Sequence, residues 1–435
     1  MYRGFHLGQT TRKRTDGSGN MDFLQMYRVR QVFPSRGLPA PGEAIKAALA
    51  NSALEQNIKP GMKVGITAGS RGIRDIVPIL RETTSYVKDL GGIPVLLAAM
   101  GSHGGGCPSG QRELLCSLGI TEESVGAALI CSSDYIIAGR AFYGEVYLNR
   151  CVLECDALIV VNRIRPHTSF HGNHESGLLK MLAVGLGGPP GAASLHRCRP
   201  ELISRAVAEG GQTVLKVAPV VLGLAILEDA YKQTAKVAAI CPEDFMSAEK
   251  SLLEEARQYL PGLPVEDLDV LIVDEIGKNI SGTGMDTNVI GRLRIQGVPE
   301  PPSPRIKRIL ALDVAREANG NAYGIGLADF TTERLVSKLD RNSTYTNALA
   351  STFVQRAMIP MTLPNDREAL LVCLNSLGLK SLHEARLIRI QNTLQLSEIL
   401  ISETVFRDIA NLPFILPLGQ PESLQFSGDG NLLPF

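Results

Sequence analysis

The chain has 435 residues, enough for about two domains at roughly 100–200 residues each. Lysine plus arginine and aspartate plus glutamate both total 44, and no basic stripe stands out, which argues against nucleic acid or an anionic membrane as a main partner. The longest apolar runs, such as 218–227, fall well short of the roughly 20 residues of a membrane span.

Residues 1–20 are polar and basic with no hydrophobic segment, so they read as a disordered arm and not as a secretory signal. The eight cysteines are scattered without a CxxC pair, and the expectation is reduced thiols in a cytoplasmic protein. Residues 41–56 have the apolar spacing of a helix. A buried-strand run, 62–68, then ends in Gly69-Ser70-Arg71-Gly72. A helix over 73–90 follows, with Pro78 near its start or bending it. A second strand, 93–100, ends in GSHGGG around His103. Strand, helix and strand in this order predict a βαβ unit with parallel strands. A third strand, 157–164, runs into Arg165-Pro166-His167, and 214–227 supplies another.

Arg71, His103 and His167 each lie just past a strand's carboxyl end, where ligands bind in open α/β sheets. Equivalent positions at neighbouring strand ends would bring all three to one crevice. A Pro/Glu/Asp-rich break at 261–267 marks a boundary. Beyond it, strands at 269–275, 308–313 and 385–390 and helices at 331–339 and 343–357 read as a second α/β domain. The expected division is an arm at 1–20, an N-terminal domain at 21–262, a C-terminal domain at 263–410 and a tail at 411–435 that packs back on the N-terminal domain.

Chemistry concentrates in residues 161–197, which hold four of the seven histidines: His167, His171, His174 and His196. Lys180 sits there among Leu178, Leu179, Met181 and Leu182. A lysine so placed either snorkels or, in an apolar pocket, becomes a covalent attachment point. His171 and His174 have metal-like H-x-x-H spacing beside Glu175, but HExxH is absent and no cysteine supports them. The plainer reading for these two is solvated or supporting histidines. His103 lies among glycines that permit close approach of a ligand, and its plainer reading is a loop histidine with a backbone partner. Arg71 has the planar fork that clamps a carboxylate or phosphate. Ser281-Gly282-Thr283-Gly284 has the composition of an anion nest.

Four local motifs give the chain a resemblance to the lactate racemase family: TAGSRG around Arg71, AMGSHGG around His103, RPHTSF…ESGLLK from His167 to Lys180, and Leu195-His196. The resemblance runs from about residue 41 to the C-terminal region and points to a divergent branch. It implies two α/β domains, a mainly parallel, Rossmann-like sheet in the first, and an active site in the cleft between them. It implies a racemase or epimerase of a 2-hydroxy acid that uses a nickel-pincer nucleotide, a pyridinium-3-thioamide-5-thiocarboxylic acid mononucleotide carrying nickel. Lys180 matches the lysine that holds this cofactor and His196 the nickel ligand. His103 and His167 match the acid/base pair, and Arg71 the arginine that orients the substrate carboxylate. Gly69, Ser70 and Arg292 join Lys180 as expected cofactor contacts. The partners implied are the 2-hydroxy acid and the cofactor-synthesis enzymes, with an oligomer left open.

The chain also departs from the family pattern. Ala68 and Gly72 stand where an aspartate and a proline are usual, and the interval from His167 to Lys180 is longer. His171 or His174 therefore stays open as the second acid/base group, and lactate is not favoured over larger or more acidic 2-hydroxy acids. Two other readings remain open at this point: a zinc hydrolase using His167, His171 and His174, and a non-catalytic nucleotide- or metabolite-binding module.

Overall fold

The computed structural model describes residues 24–70 and 72–434. The expectations for residues 1–20 and for Arg71 lie outside the described residues. Strands are numbered in chain order: β1 (Gln25–Gln31), β2 (Lys63–Ala68), β3 (Ile93–Ala98), β4 (Ala128–Ile130), β5 (Tyr135–Ala141), β6 (Gly144–Asn149), β7 (Ala157–Arg163), β8 (Val220–Glu228) and β9 (Thr234–Ile240). The second half adds β10 (Asp267–Ile276), β11 (Arg305–Val314), β12 (Phe330–Thr332), β13 (Met361–Leu363), β14 (Leu387–Ile390), β15 (Glu398–Ser402), β16 (Ile415–Pro417) and β17 (Glu422–Ser423).

Among the described residues these strands form two large sheets and one hairpin. The first sheet is six-stranded in the order β4-β3-β2-β7-β8-β9, parallel except for β9. The second is nine-stranded in the order β13-β12-β11-β10-β14-β15-β1-β16, with β17 also on β1; its parallel half is β10–β14. Each sheet is covered on both faces by apolar core. Double coverage explains why β2, β3, β7 and β10 read as near-continuous Val/Ile/Leu/Ala runs without alternation. The protein is thus an α/β fold with parallel-dominated sheets, as the strand–helix alternation predicts.

Helix Ile76–Asp89 shows the logic of the packing. Its buried residues, Ile76, Ile79, Leu80, Thr83, Thr84 and Val87, recur at the spacing of one helical face, and Pro78 sits in its first turn where no backbone donor is lost. Helix Ile203–Leu215 uses a different device. A Cβ at Gly211 would stand 2.8 Å from Leu179 Cδ2 and 2.9 Å from Leu179 O, so only glycine lets this helix press against the segment that carries Lys180.

Several expectations shift. The helix at 41–56 is two pieces, Pro41–Ala50 and Leu54–Asn57. Residues 214–218 are not strand: the helix runs to Leu215 and β8 begins at Val220. The 343–357 helix is a helix Arg341–Ser351 followed by a 3₁₀ turn Val354–Ala357. The largest difference concerns the chain's ends. β1 pairs antiparallel with β15, and β16 and β17 pair with β1, so 25–31 and the tail strands belong to the nine-stranded sheet. The boundary expected at residue 21, and the tail expected against the N-terminal half, do not match this pairing. The reason is edge satisfaction: β15 needs a partner for its open side, and the start and end of the chain supply successive strands.

Candidate functional site

Strand order locates the crevices. In the first sheet, β3 and β4 extend to one side of β2 while β7 and β8 lie on the other, which makes β2/β7 a topological switch point. In the second, β11, β12 and β13 lie to one side of β10 and β14 to the other, a second switch point at β10/β14. The loops that leave these strand ends meet. Arg165 Nη2 lies 3.0 Å from Asp286 Oδ2, Thr287 Oγ1 donates to Thr168 O at 2.7 Å, and Arg356 Nη1 donates to Ser169 Oγ at 2.7 Å.

The loop after β7 is closed on itself. Its ends are pinned where Arg165 and Ser176 exchange backbone hydrogen bonds of 3.0 and 3.3 Å. Inside it, the fully buried Glu175 carboxylate accepts from His167 N (2.5 Å), Gly172 N (3.1 Å) and Arg257 Nη2 (2.7 Å). Burial opposes its ionisation, but the hydrogen bonds from His171, His167 and Arg257 outweigh it, and its pKa falls below the ordinary carboxylate value. Ser169 N donates to His167 Nδ1 at 3.1 Å, so the neutral ring carries its proton on Nε2. The His167 ring stacks on Phe170 at 4.2 Å between centroids, and Lys180 Nζ stands 5.4 Å from the centroid of the same Phe170 ring.

Lys180 lies in the first turn of a helical segment, Leu178–Lys180, that continues as a π-turn, Met181–Gly185, and then as helix Gly188–His196. A π-turn widens the helix and is common at functional sites. Glu249 Oε2 accepts from Leu179 N at 3.0 Å, placing a carboxylate at the start of this segment, and a Cβ on Gly177 would stand 2.5 Å from Glu249 Cδ. His196 is half-buried. Burial, with the nearby Lys180 ammonium, lowers its pKa, so the ring is neutral with a lone pair to offer at neutral pH.

The other two strand-end loops press on this segment. Gly101 N donates to Gly185 O at 3.1 Å, a Cβ on Gly69 would stand 3.0 Å from Met181 Cε, and one on Gly106 would stand 2.6 Å from Pro189 Cγ. Gly104, Gly105 and Gly106 all have left-handed φ of 65–67°, a run only glycine adopts readily. Ser70 Oγ and His103 Nδ1 lie 2.6 Å apart, a hydrogen bond whose donor depends on the ring's tautomer. Gly69, Ser70, His103, His167, Lys180 and His196 therefore belong to one set of mutually contacting loops.

Three expected residues are placed elsewhere. Arg292 was expected to meet the cofactor, but its guanidinium is turned into its own half of the chain: Nη1 donates to Asp329 Oδ2 at 2.7 Å and to Leu327 O at 3.0 Å, and Nη2 to Ile306 O at 2.9 Å. It is a structural ion pair. His174 is buried, with Nδ1 3.5 Å from Glu249 Oε1, and His171 Nδ1 lies 3.5 Å from Glu175 Oε2. Each histidine faces its own carboxylate. Among the described residues no group of three His, Cys, Asp or Glu side chains is placed to hold a metal, which removes the basis for a His167/His171/His174 zinc site. Sequence reading also missed several residues that shape the site: Phe170, Glu249, Asp286 and the fully buried Arg356. Phe170, like Glu175 and Arg165, lay in a motif already singled out; Glu249, Asp286 and Arg356 come from distant parts of the chain.

Fold and site together define a two-sheet α/β protein with facing strand-end crevices. No protein-family model and no curated protein sequence matches the chain. Among solved structures it is similar to the lactate racemase apoprotein of Thermoanaerobacterium thermosaccharolyticum, with a TM-score of 0.54 at 12% identity over 85% of this chain and 99% of that one. It is also similar to a Thermotoga maritima protein solved by the Northeast Structural Genomics Consortium, with a TM-score of 0.50 at 15% identity over 75% of this chain and 84% of that one. At such identities the likeness establishes the fold. Among the described residues no helix is long and apolar enough to cross a membrane.

Proposed function

We propose that the chain is a racemase or epimerase of a 2-hydroxy acid that works with a nickel-pincer nucleotide tethered to Lys180. The observation that carries this reading is the grouping of one lysine and three histidines, Lys180, His196, His167 and His103, on loops that pack against one another at a topological switch point. The donor chemistry fits the cofactor. Lys180 is half-buried beside an aromatic face, and neutral His196 offers one nitrogen donor where the described residues supply no complete metal cage. Lys180 would hold the group covalently and His196 would ligate its nickel.

When bound, such a group supplies an electron sink for the C2 hydrogen of the substrate, which is far too weakly acidic to leave as a proton. The chain's own work is proton handling at the hydroxyl. With Nδ1–H donating to Ser70, His103 presents an Nε2 lone pair that takes the hydroxyl proton. His167, with Nδ1 already accepting from Ser169 N, holds a proton on Nε2 that hydrogen-bonds the substrate oxygen, and the proton taken by His103 goes back to that oxygen from His103 Nε2 when the hydride returns. Two histidines on different strand ends serve the two hands of the substrate. Phe170, 6% exposed, fixes the His167 ring and keeps water from it.

The test is mass spectrometry of the chain produced together with cofactor-synthesis enzymes, followed by chiral analysis of 2-hydroxy acids. A mass addition on Lys180 that Lys180→Ala abolishes, with interconversion of the two hands, is expected. A folded protein that stays unmodified under those conditions refutes the reading.

A further inference from the structure

Helix Phe245–Gln258 buries Phe245, Leu252, Leu253 and Ala256 along one stripe, and within that stripe stands Glu249, fully buried. A glutamate this deep is rare unless both its oxygens are paired. Here Oε2 accepts from Leu179 N at 3.0 Å, whereas Oε1 has no hydrogen-bond partner among the described residues. Oε1 faces Nδ1 of His174, a residue 6% exposed, across 3.5 Å, and that nitrogen has no hydrogen-bond partner either. The two orphaned atoms are aimed at each other just beyond hydrogen-bond range, and a proton on Nδ1 makes the imidazole a donor to Oε1.

These contacts lead to Lys180. The turn Gly177–Lys180 is gripped from two sides: Asn162 Nδ2, near the end of β7, donates to Gly177 O at 2.6 Å, and Glu249 takes Leu179 N, the amide next to Lys180. Gly177 makes room for the second grip, since a Cβ there would stand 2.5 Å from Cδ and Oε2 of Glu249 and 2.9 Å from Oε1. His174 is itself anchored, its N–H donating at 3.2 Å to Ser204 Oγ on helix Ile203–Leu215, the helix whose Gly211 presses on Leu179. The helix that carries Glu249 also carries Arg257, which donates to Glu175 and so supports the loop of His167. One helix thus sets the Lys180 turn and the His167 loop relative to each other. An apolar residue at 249 would complete the stripe but leave Leu179 N, at a buried helix start, without an acceptor.

We propose that Glu249, steadied by His174, is a positioning residue that holds the Lys180 turn so that Lys180 and His196 reach one ligand. Only the identity of that ligand rests on the functional reading above. Hydrogen–deuterium exchange of the full chain, resolved to peptides by mass spectrometry, tests the grip without any cofactor. Glu249→Met fills the same space without an acceptor. Exchange over 177–185 is expected to rise about tenfold, the effect of leaving one buried N–H unpaired, while β7 and β8 stay protected. Glu249→Gln keeps an oxygen for Leu179 N and turns its NH₂ toward a His174 Nδ1 lone pair, so it should stay within about threefold of wild type. Gly177→Ala, tolerated by the extended backbone there, pushes a methyl onto the carboxylate and should match Glu249→Met; it carries the comparison should that variant fold poorly. His174→Phe should give a smaller rise, about threefold, in the same peptides, and no rise would remove His174 from the assignment. Unchanged exchange over 177–185 in the Met and Ala variants, a rise shared equally by β7 and β8, or a Gln variant as open as the Met variant overturns it. In chains produced with cofactor-synthesis enzymes, the fraction of Lys180 carrying added mass should fall at least about threefold in Glu249→Met and recover in Glu249→Gln. A wild-type Lys180 that stays unmodified while exchange still follows Glu249 would sink the racemase reading and leave the positioning role; a loaded Lys180 indifferent to Glu249 would do the reverse.

Discussion

Glu175→Gln is the sharpest test of how the site is held. The carboxylate receives three donors on two oxygens: His167 N on Oε2, and Gly172 N with Arg257 Nη2 on Oε1. A glutamine has one acceptor oxygen. If it faces Gly172 and Arg257, its NH₂ meets the N–H of His167 and two donors oppose each other. Leaving one buried N–H unpartnered costs about 1–3 kcal/mol, and replacing charge-assisted by neutral hydrogen bonds costs about 1 more. Arg257 is 41% exposed, so its share is screened and small. The expected loss is about 2–4 kcal/mol, read as a lower urea midpoint with unchanged slope. Glu201→Gln, at an exposed pair with Arg199, is the control and should stay within about 0.5 kcal/mol. The pH dependence has a definite sign. The folded-state pKa of Glu175 lies below its ordinary value of 4.5, so its contribution is present above that pH and is lost as pH falls through the folded-state value. The gap between wild type and Glu175→Gln should therefore close in acid. A gap below about 0.5 kcal/mol at neutral pH, or one that persists unchanged in acid, refutes this account of the loop.

Gly211→Ala should destabilise the chain by about 1–3 kcal/mol, because the new methyl meets Leu179 backbone and side chain at 2.8–2.9 Å; an unchanged thermal midpoint would show that the helices can part without cost. Arg165→Met and Asp286→Asn sever one contact between the two halves, and a double-mutant cycle should give a coupling of about 1 kcal/mol; additivity within about 0.3 kcal/mol would mean the pair holds nothing together. Thiol labelling followed by peptide mapping should find Cys107 first. It is exposed, and its pKa is lowered chiefly by the hydrogen bond with Ser109, whereas burial pushes Cys151 and Cys373 up to about 12. Equal labelling of Cys151 and Cys107 in the native protein would contradict this order.

The sequence by itself determined the parallel strands of the first half, the residues at their carboxyl ends, and the lysine that follows them. Those features are local: a doubly covered strand must be apolar throughout, and a loop that approaches a ligand closely must be rich in glycine, so both leave marks in short windows. Only the tertiary structure decided which of the four clustered histidines face the site. His171 and His174 have the same residue type and neighbourhood as His167, yet Glu175 and Glu249 engage them, and Glu249 lies 75 residues beyond His174 in the chain. Arg292 likewise could be assigned as an anion contact until Asp329, 37 residues later, was seen to hold it. Charge partners across long separations are set by how the sheets are ordered and faced, and no local pattern records that order.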